Sequence, residues 1–586
     1  MTTTAVQGRG GIWLTDEADP KTVFTPEQLT EDHRLIARTA VDFVDAEILP
    51  VLDRLEQKDW ALARTLLRRC GDLGLLGTDV PEEFGGVALD KVSAVVVGEA
   101  MGRSASFATT FGAQTGLAIT PLLCFGSEQQ KKDYVPRLVS GEIVGAYALS
   151  ESASGSDALG ARARATRQSD GSYLLNGEKM WISNGGFADL FIVFAKVDGE
   201  HFTAFIVERS FPGVSTGNEE HKMGLHGSST TPLILQDARV PATHVLGEVG
   251  KGHKVAFNVL NYGRFKLAAM CSGGARLAIS EAARYASERR QFGQPLATFG
   301  AIRHKLAEMT VRAYAVESML YRTAGLIDGM LQGSHSGDLV LATLEEFAIE
   351  SSILKVASSE MLDFILDENI QIHGGNGFVR DYPAERHYRD ARVNRIFEGT
   401  NEINRMLIPG MLAKRAVKGT LPIIAAARQL QDELLSSGFS ETSDSPFHAE
   451  RQAVGAMKKT ALMILGTAMQ TYGNQLADQQ EVLLNTADIL MDTFAAESVL
   501  LRASTAAASS RGDGIHEATA RTFLNDAAVR VEMAARTTLA GMTEGDTLRT
   551  MLAALRRIIK LTPVNTIALR RNIADAVAQR KGYPFA

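Results

Sequence analysis

From residue 25 the apolar positions recur three and four apart: Leu35, Ala37, Ala40, Phe43 and Val44, then Ala61, Leu62, Leu66 and Leu67. That spacing lines one face of a 3.6-residue helix and predicts helices to about residue 145. Thr25, Pro26 and Glu27 have the composition of a helix start. The turn-rich segment 81–86 (PEEFGG) interrupts the pattern, and residues 1–24, polar and glycine-containing, read as a loose tail. Between about 146 and 250 the texture changes. Short alternating or β-branched runs at 172–175, 190–196, 202–208 and 231–235 predict strands, with Asn176-Gly177 and Asn184-Gly185-Gly186 as turn residues. Helical spacing returns near Val255, and the alanine-rich segment 267–289 carries one apolar stripe, as a packed bundle helix does. A second helical region runs from 416 to 586, with a polar, Ser-rich stretch at 436–445 that resembles an exposed loop.

The pattern therefore predicts a mainly α chain with a β insert. It divides into an N-terminal helical domain at 25–145, a middle antiparallel β-barrel domain at 146–255, a four-helix bundle at 256–415, and an additional C-terminal helical domain at 416–586. At 586 residues, 45% hydrophobic and 22% charged, the chain has ample apolar surface to bury. The net charge of −7 argues against nucleic acid as the main partner, because phosphate binding needs a basic surface. Three cysteines, none in a CxxC pair, give no disulfide framework and fit a reducing compartment. No secretory signal pattern opens the chain, and no stretch reaches the roughly 18 apolar residues of a membrane span. A cytoplasmic protein without a metal site is the expectation.

Four fragments carry candidate chemistry. Residues 147–157 (YALSESASGSD) combine small hydroxyl residues with glycine, which lets backbone N–H groups approach an anionic ligand; read alone, an ordinary loop is the better reading. Residues 176–186 (NGEKMWISNGG) place Trp181 after a hairpin-like turn and two residues before Ser183. The indole suits contact with a flat ring, or closure of a β core. Residues 371–378 (QIHGGNGF) suit close backbone approach to a pyrophosphate, or a helix C-cap. In 395–401 (RIFEGTN), Glu398 stands between an aromatic residue and a glycine. An apolar pocket would raise its pKa and sharpen it as a base, whereas a solvated position would make it a helix cap.

In their order and spacing these fragments resemble the acyl-CoA dehydrogenase family. The family pattern A-L/M-T-E-P-x-A-G-S-D, W-I-S/T-N, R-x-Q-F-G, Q-I-x-G-G-x-G and E-G-T reads here as 148–157, 181–184, 289–293, 371–377 and 398–400. Residues 81–86, 222–224 and 239–241 also look like the family, and the resemblance covers roughly 30–415. Residues 261–265 (NYGRF), 316–319 (VESM) and 397–401 (FEGTN) are similar to the very-long-chain branch, which carries an additional C-terminal helical domain and forms homodimers.

The resemblance implies FAD between the β domain and the bundle, with Leu149, Ser150, Trp181 and Ser183 at the flavin ring. Ser156 would bind the pyrophosphate or the thioester ligand. Arg289, Phe292, Gln371, Gly374 and Gly375 would belong to the other subunit's cofactor site, and Thr400 would also touch the cofactor. It implies Glu398 as the base that removes the α-proton of an acyl-CoA, with Asn261, Arg264, Ser156 and Gly399 on the substrate side, a trans-2-enoyl-CoA product, and an electron-transferring flavoprotein as acceptor. Arg264 would orient the base or the CoA. A long-chain substrate and a role in fatty acid β-oxidation follow from the branch. Within the family pattern an acyl-CoA oxidase or flavin monooxygenase, or a flavin-bearing assembly or scaffold protein, is an alternative. Ser150 and Ser152 stand where the family has threonine and proline, and losing the proline predicts a freer loop. Small residues at Gly112, Ala113, Gly116 and Ala118 permit a deep acyl pocket or tight helix packing. Membrane association is expected to be at most peripheral, because 436–445 lacks a basic amphipathic character.

Overall fold

The structure is a computed structural model that describes residues 8–435, 446–508 and 514–585. The stretch at 436–445 lies outside the described residues. The first helices are α1 (Glu31–Phe43), α2 (Leu52–Glu56), α3 (Trp60–Asp72), α4 (Lys91–Met101), α5 (Ala105–Gly112), α6 (Thr120–Phe125) and α7 (Glu128–Val139). Thr25 does start a helical turn, but a short one over Pro26–Gln28. Thr30 caps α1, its side chain accepting from the His33 backbone N–H at 3.2 Å.

Eight strands follow: β1 (Gly145–Ala148), β2 (Arg164–Arg167), β3 (Tyr173–Ser183), β4 (Leu190–Val197), β5 (His201–Glu208), β6 (Val214–Thr216), β7 (Thr230–Val240) and β8 (Val245–Leu246). They form one sheet in the order β6-β7-β3-β2-β4-β5-β8, with β1 also on β4. The expected antiparallel barrel is not formed. The outermost strands β6 and β8, three and two residues long, do not pair with each other, and both β1 and β2 run parallel to β4. β1 pairs with Leu190–Val193 and β2 with Lys196 and Val197. The two strands thus share one edge of β4, and the intervening segment 149–163 is displaced from the sheet. Asn176-Gly177 is not a turn. It lies within β3, where Gly177 has φ 149° at a bulge and a Cβ would stand 2.8 Å from the Ala163 Cβ.

The later helices are α8 (Gly252–Glu288), α9 (Gly300–Leu331), α10 (Gly337–Glu346), α11 (Ala348–His373), α12 (Ala384–Ala391), α13 (Asn401–Val417), α14 (Ile423–Leu435), α15 (His448–Tyr472), α16 (Gln480–Ala508), α17 (Ile515–Met542), α18 (Gly545–Ile558) and α19 (Thr566–Arg580). α8, α9, α11 and α13 pack together, and α15, α16, α17 and α19 cover the outer side of that bundle in a continuous apolar core. Residues 8–24 are not a loose tail. Trp13 is buried against Phe494, and its indole N–H and the Gly11 N–H both donate to Glu350. A single large aromatic residue with a buried acceptor outweighs the polar composition around it.

Candidate active site

Glu398 sits in the short turn between α12 and α13, with a left-handed φ of 57° that a residue with a Cβ adopts only when its surroundings impose it. Three groups impose it. Arg264 of α8 donates from Nε to the Glu398 carbonyl at 3.1 Å. Asn404 donates from Nδ2 to the carbonyls of Gly399 at 2.8 Å and Thr400 at 3.1 Å. The Thr400 hydroxyl accepts from the Ile403 N–H and begins α13. Gly399, at φ 79°, leaves room for this arrangement, since a Cβ there would approach Asn404 Nδ2 to 3.2 Å and Arg264 Nη2 to 3.4 Å.

The carboxyl group points at Gly263 on α8, where a Cβ would lie 2.7 Å from Oε2. The residue as a whole is half-buried, but Oε2 is sealed from water and has no hydrogen-bond partner among the described residues. Burial pushes the carboxyl up to about 7, against the opposing pull of Arg264 and Lys355. The Arg264 guanidinium is itself pushed down to about 10 by burial, against the pull of Glu398. Its Nη1 donates to Asn261 Oδ1 at 3.0 Å, so both residues lie buried beneath the base turn. Tyr147 of β1 is the aromatic neighbour on the sheet side. Burial, and then the Glu398 charge, hold its phenol well above the usual range.

Leu149 and Ser150 continue from Tyr147 along the displaced segment, and the Ser150 carbonyl accepts from the Met180 N–H of β3 at 2.9 Å. This bond places them beside Trp181, which is 56% exposed at φ 59°, and Ser183 at the end of the same strand. The expected freedom of the loop after loss of proline is not seen. Glu151 accepts from Lys179 Nζ at 2.6 Å and from the backbone N–H groups of Arg162 and Ala163, and it pairs through its backbone with Ser154. Ser156 is exposed on this anchored loop.

Arg289, Phe292, Gln371, Gly374 and Gly375 form a second, separate group. At the rise of an α-helix, the end of α8 at Arg289 is about 39 Å from Gly263. All five are exposed, Phe292 to 92%. A Cβ at Gly374 or Gly375 would meet nothing within 4 Å, so no contact within this chain calls for glycine there. A Cβ at Gly112 or Gly116, in contrast, would meet Met270 Cε at 3.2 Å or Lys266 Cδ at 3.7 Å, so both glycines face α8.

Residues 30–142 match the profile of the acyl-CoA dehydrogenase N-terminal domain, 146–238 that of the middle domain, and 250–412 and 456–557 two profiles of an acyl-CoA dehydrogenase C-terminal domain. A probable acyl-CoA dehydrogenase of Bacillus subtilis (strain 168) is 45% identical over 583 residues, covering 98% of both chains. The chain belongs to the acyl-CoA dehydrogenase family. An acyl-CoA dehydrogenase from Bacillus anthracis, solved in complex with FAD, superposes with a TM-score of 0.97 at 46% identity, over 98% of this acyl-CoA dehydrogenase chain and 99% of that one. The very long-chain specific acyl-CoA dehydrogenase of Bos taurus mitochondria is 36% identical over 546 residues, 86% of this chain and 79% of its own.

Sequence reasoning gave no role to Tyr147, Glu151, Lys179, Gly263, Asn404 or Lys355 of this acyl-CoA dehydrogenase. Tyr147, Glu151, Lys179 and Gly263 stand inside quoted motifs, but Lys179 and Gly263 act on Glu151 and Glu398, distant in sequence. Asn404 acts on the nearby carbonyls of Gly399 and Thr400, and Lys355 on Asn401. Among the described residues no helix is long and apolar enough to cross a membrane, and no cluster of metal-ligating side chains occurs.

Proposed function

We propose that this chain is an FAD-dependent acyl-CoA dehydrogenase that desaturates a long-chain acyl-CoA to the trans-2-enoyl-CoA in fatty acid β-oxidation, with Glu398 as the base. The observation that carries the reading is the sealed, unpartnered Oε2 of Glu398. A carboxylate kept dry with a pKa near neutrality is matched to removing a weakly acidic α-proton at physiological pH.

The residues present fit FAD. Leu149, Ser150, Trp181 and Ser183 would hold the ring, Ser156 the pyrophosphate or the thioester ligand, and Thr400 the cofactor's near side. Arg289, Phe292, Gln371, Gly374 and Gly375 would complete the site of a second subunit in a homodimer. Their exposure, and the position of Arg289 about 39 Å along α8 from Gly263, support that division. Arg289 suits phosphate because a guanidinium fork matches its oxygens. Bound FAD supplies the acceptor for the β-hydride. The Glu398 carboxylate takes the α-proton while Arg264 and Asn404 hold the backbone of its turn. Asn261 and Arg264 would form the buried support of the substrate side, and Gly399 would lie on that side beside Arg264. The long-chain preference rests on the likeness to the very long-chain relative, which extends into the C-terminal helical domain.

Anaerobic bleaching of the flavin by saturated acyl-CoAs of graded length tests the reading. Bleaching is greatest with long chains, and Glu398→Gln slows it at least about 1,000-fold while FAD remains bound, in keeping with the loss of a general base and of the chemistry it enables. Bleaching by Glu398→Gln at the normal rate would refute it. Slow reoxidation of the substrate-reduced flavin by oxygen separates a dehydrogenase that passes electrons to an electron-transferring flavoprotein from an oxidase.

A further inference from the structure

Lys355 lies in the middle of α11 and is fully buried. Among the described residues its Nζ makes one hydrogen bond, to Asn401 Oδ1 at 2.6 Å, and no carboxylate stands within ion-pair distance. Asn401 is the first residue of α13, three places after Glu398, and is 1% exposed. Its Nδ2 donates to Ser359 Oγ at 3.1 Å and to Glu360 Oε1 at 3.0 Å. Glu360 is in turn held by Arg405 at 2.6 Å. A buried ammonium with one neutral acceptor is expensive to keep charged. The titratable groups whose charge acts on it are Glu398, Cys271 and Arg264 of α8, and Glu402 of α13. Burial pulls the ammonium down to about 8, and Glu398 is the largest influence holding it up.

We propose that Lys355 is a positioning residue for the base: through Asn401 it fixes the start of α13 and hence the Glu398 turn, and its buried charge favours the ionised form of the Glu398 carboxyl. This inference rests on the reading of Glu398 as base. The sign is set by charge. A cation near the carboxyl stabilises the carboxylate, so removing it raises the pH at which the base becomes ionised. Arg264 supplies the same sign from α8 and Tyr147 faces the carboxyl from β1, so Lys355 accounts for a part of the effect.

The test is the pH profile of anaerobic flavin bleaching by a long-chain acyl-CoA, measured on the full-length holoenzyme. In Lys355→Gln the acid limb moves up by about one pH unit. Bleaching at pH 6 then falls about tenfold, while the rates converge at pH 9. Lys355→Arg keeps the charge and leaves the limb where it is. Asn401→Asp places a carboxylate against the ammonium and moves the limb in the same direction as Lys355→Gln, and it decides the matter should Lys355→Gln fail to retain FAD. A limb that stays in place in Asn401→Asp and in a folded Lys355→Gln, with the rate lowered equally at every pH, overturns the proposal and leaves Lys355 a packing residue. Absence of bleaching in the unaltered protein, or its persistence in Glu398→Gln, would instead sink the underlying assignment of the base.

Discussion

Glu398 is held in a backbone conformation unfavourable for a residue with a Cβ, and one oxygen of its carboxyl is removed from water without a hydrogen-bond partner among the described residues. Both features lower stability, and the second does so in a pH-dependent way. The carboxyl titrates near 7 in the folded chain and near 4.5 when unfolded. Between those values the folded state retains a proton that the unfolded state has released. Stability therefore falls as pH rises through this window, and the penalty is complete above about 7. Its ceiling is about 3 kcal/mol from the two titration points. Glu398→Gln is accordingly expected to unfold at a higher temperature than the unaltered protein at pH 8, and at nearly the same temperature at pH 4.5. Equal midpoints at both pH values, in thermal unfolding without substrate, would mean that the carboxyl is solvated.

Between α8 and the base turn, a single missing methyl sets the geometry. Gly263 lies inside a long helix, where alanine would be favoured by about 1 kcal/mol. The Cβ of alanine would nevertheless stand 2.7 Å from Glu398 Oε2 and 2.9 Å from its Cδ. Gly263→Ala is expected to leave helical circular dichroism and thermal unfolding intact while slowing flavin bleaching roughly 100-fold, the scale of a displacement of about an ångström at a reacting group. The same element shows what the sequence can and cannot disclose. The helix was legible from its spacing and the base from its motif, because Glu398, Gly399 and Thr400 each answer a local demand of the turn. Gly263 was quoted only as part of a family string, since its partner is more than a hundred residues away. In the sheet, strand runs such as 190–196 were visible because β4 is buried almost throughout and reads as a continuous apolar run. Asn176-Gly177 misled, because glycine answers a close approach of Ala163 across a bulge as well as it answers a turn. Closure of the sheet depends on which strand edges meet, and that is not written in periodicity.

Over the whole molecule, the N-terminal segment, the bundle and the C-terminal helices are tied by one buried charge network. Arg502 of α16, with no exposed surface, donates to Glu27 at 2.8 Å and to Glu317 of α9 at 2.6 Å, and lies 4.1 Å over the Tyr314 ring. Tyr583, near the C-terminal end of the described chain, donates to the same Glu317 at 2.7 Å. Arg502→Met would remove the guanidinium from Glu27 and leave Glu317 paired with Arg276. A loss of about 3–5 kcal/mol is expected from denaturant unfolding. The second whole-molecule expectation concerns assembly. Phe292, in the group assigned to a second subunit's cofactor site, is 92% exposed just beyond the end of α8. An aspartate at 292 would place an unpaired charge in that interface and beside the bound cofactor. Phe292→Asp is then expected to sediment as a monomer and to lose FAD on gel filtration, in proportion to each other, while its helical content stays unchanged. Cofactor retained by a monomeric variant would separate the two and return the whole FAD site to a single chain, because linkage requires that a ligand bound across an interface strengthen that interface.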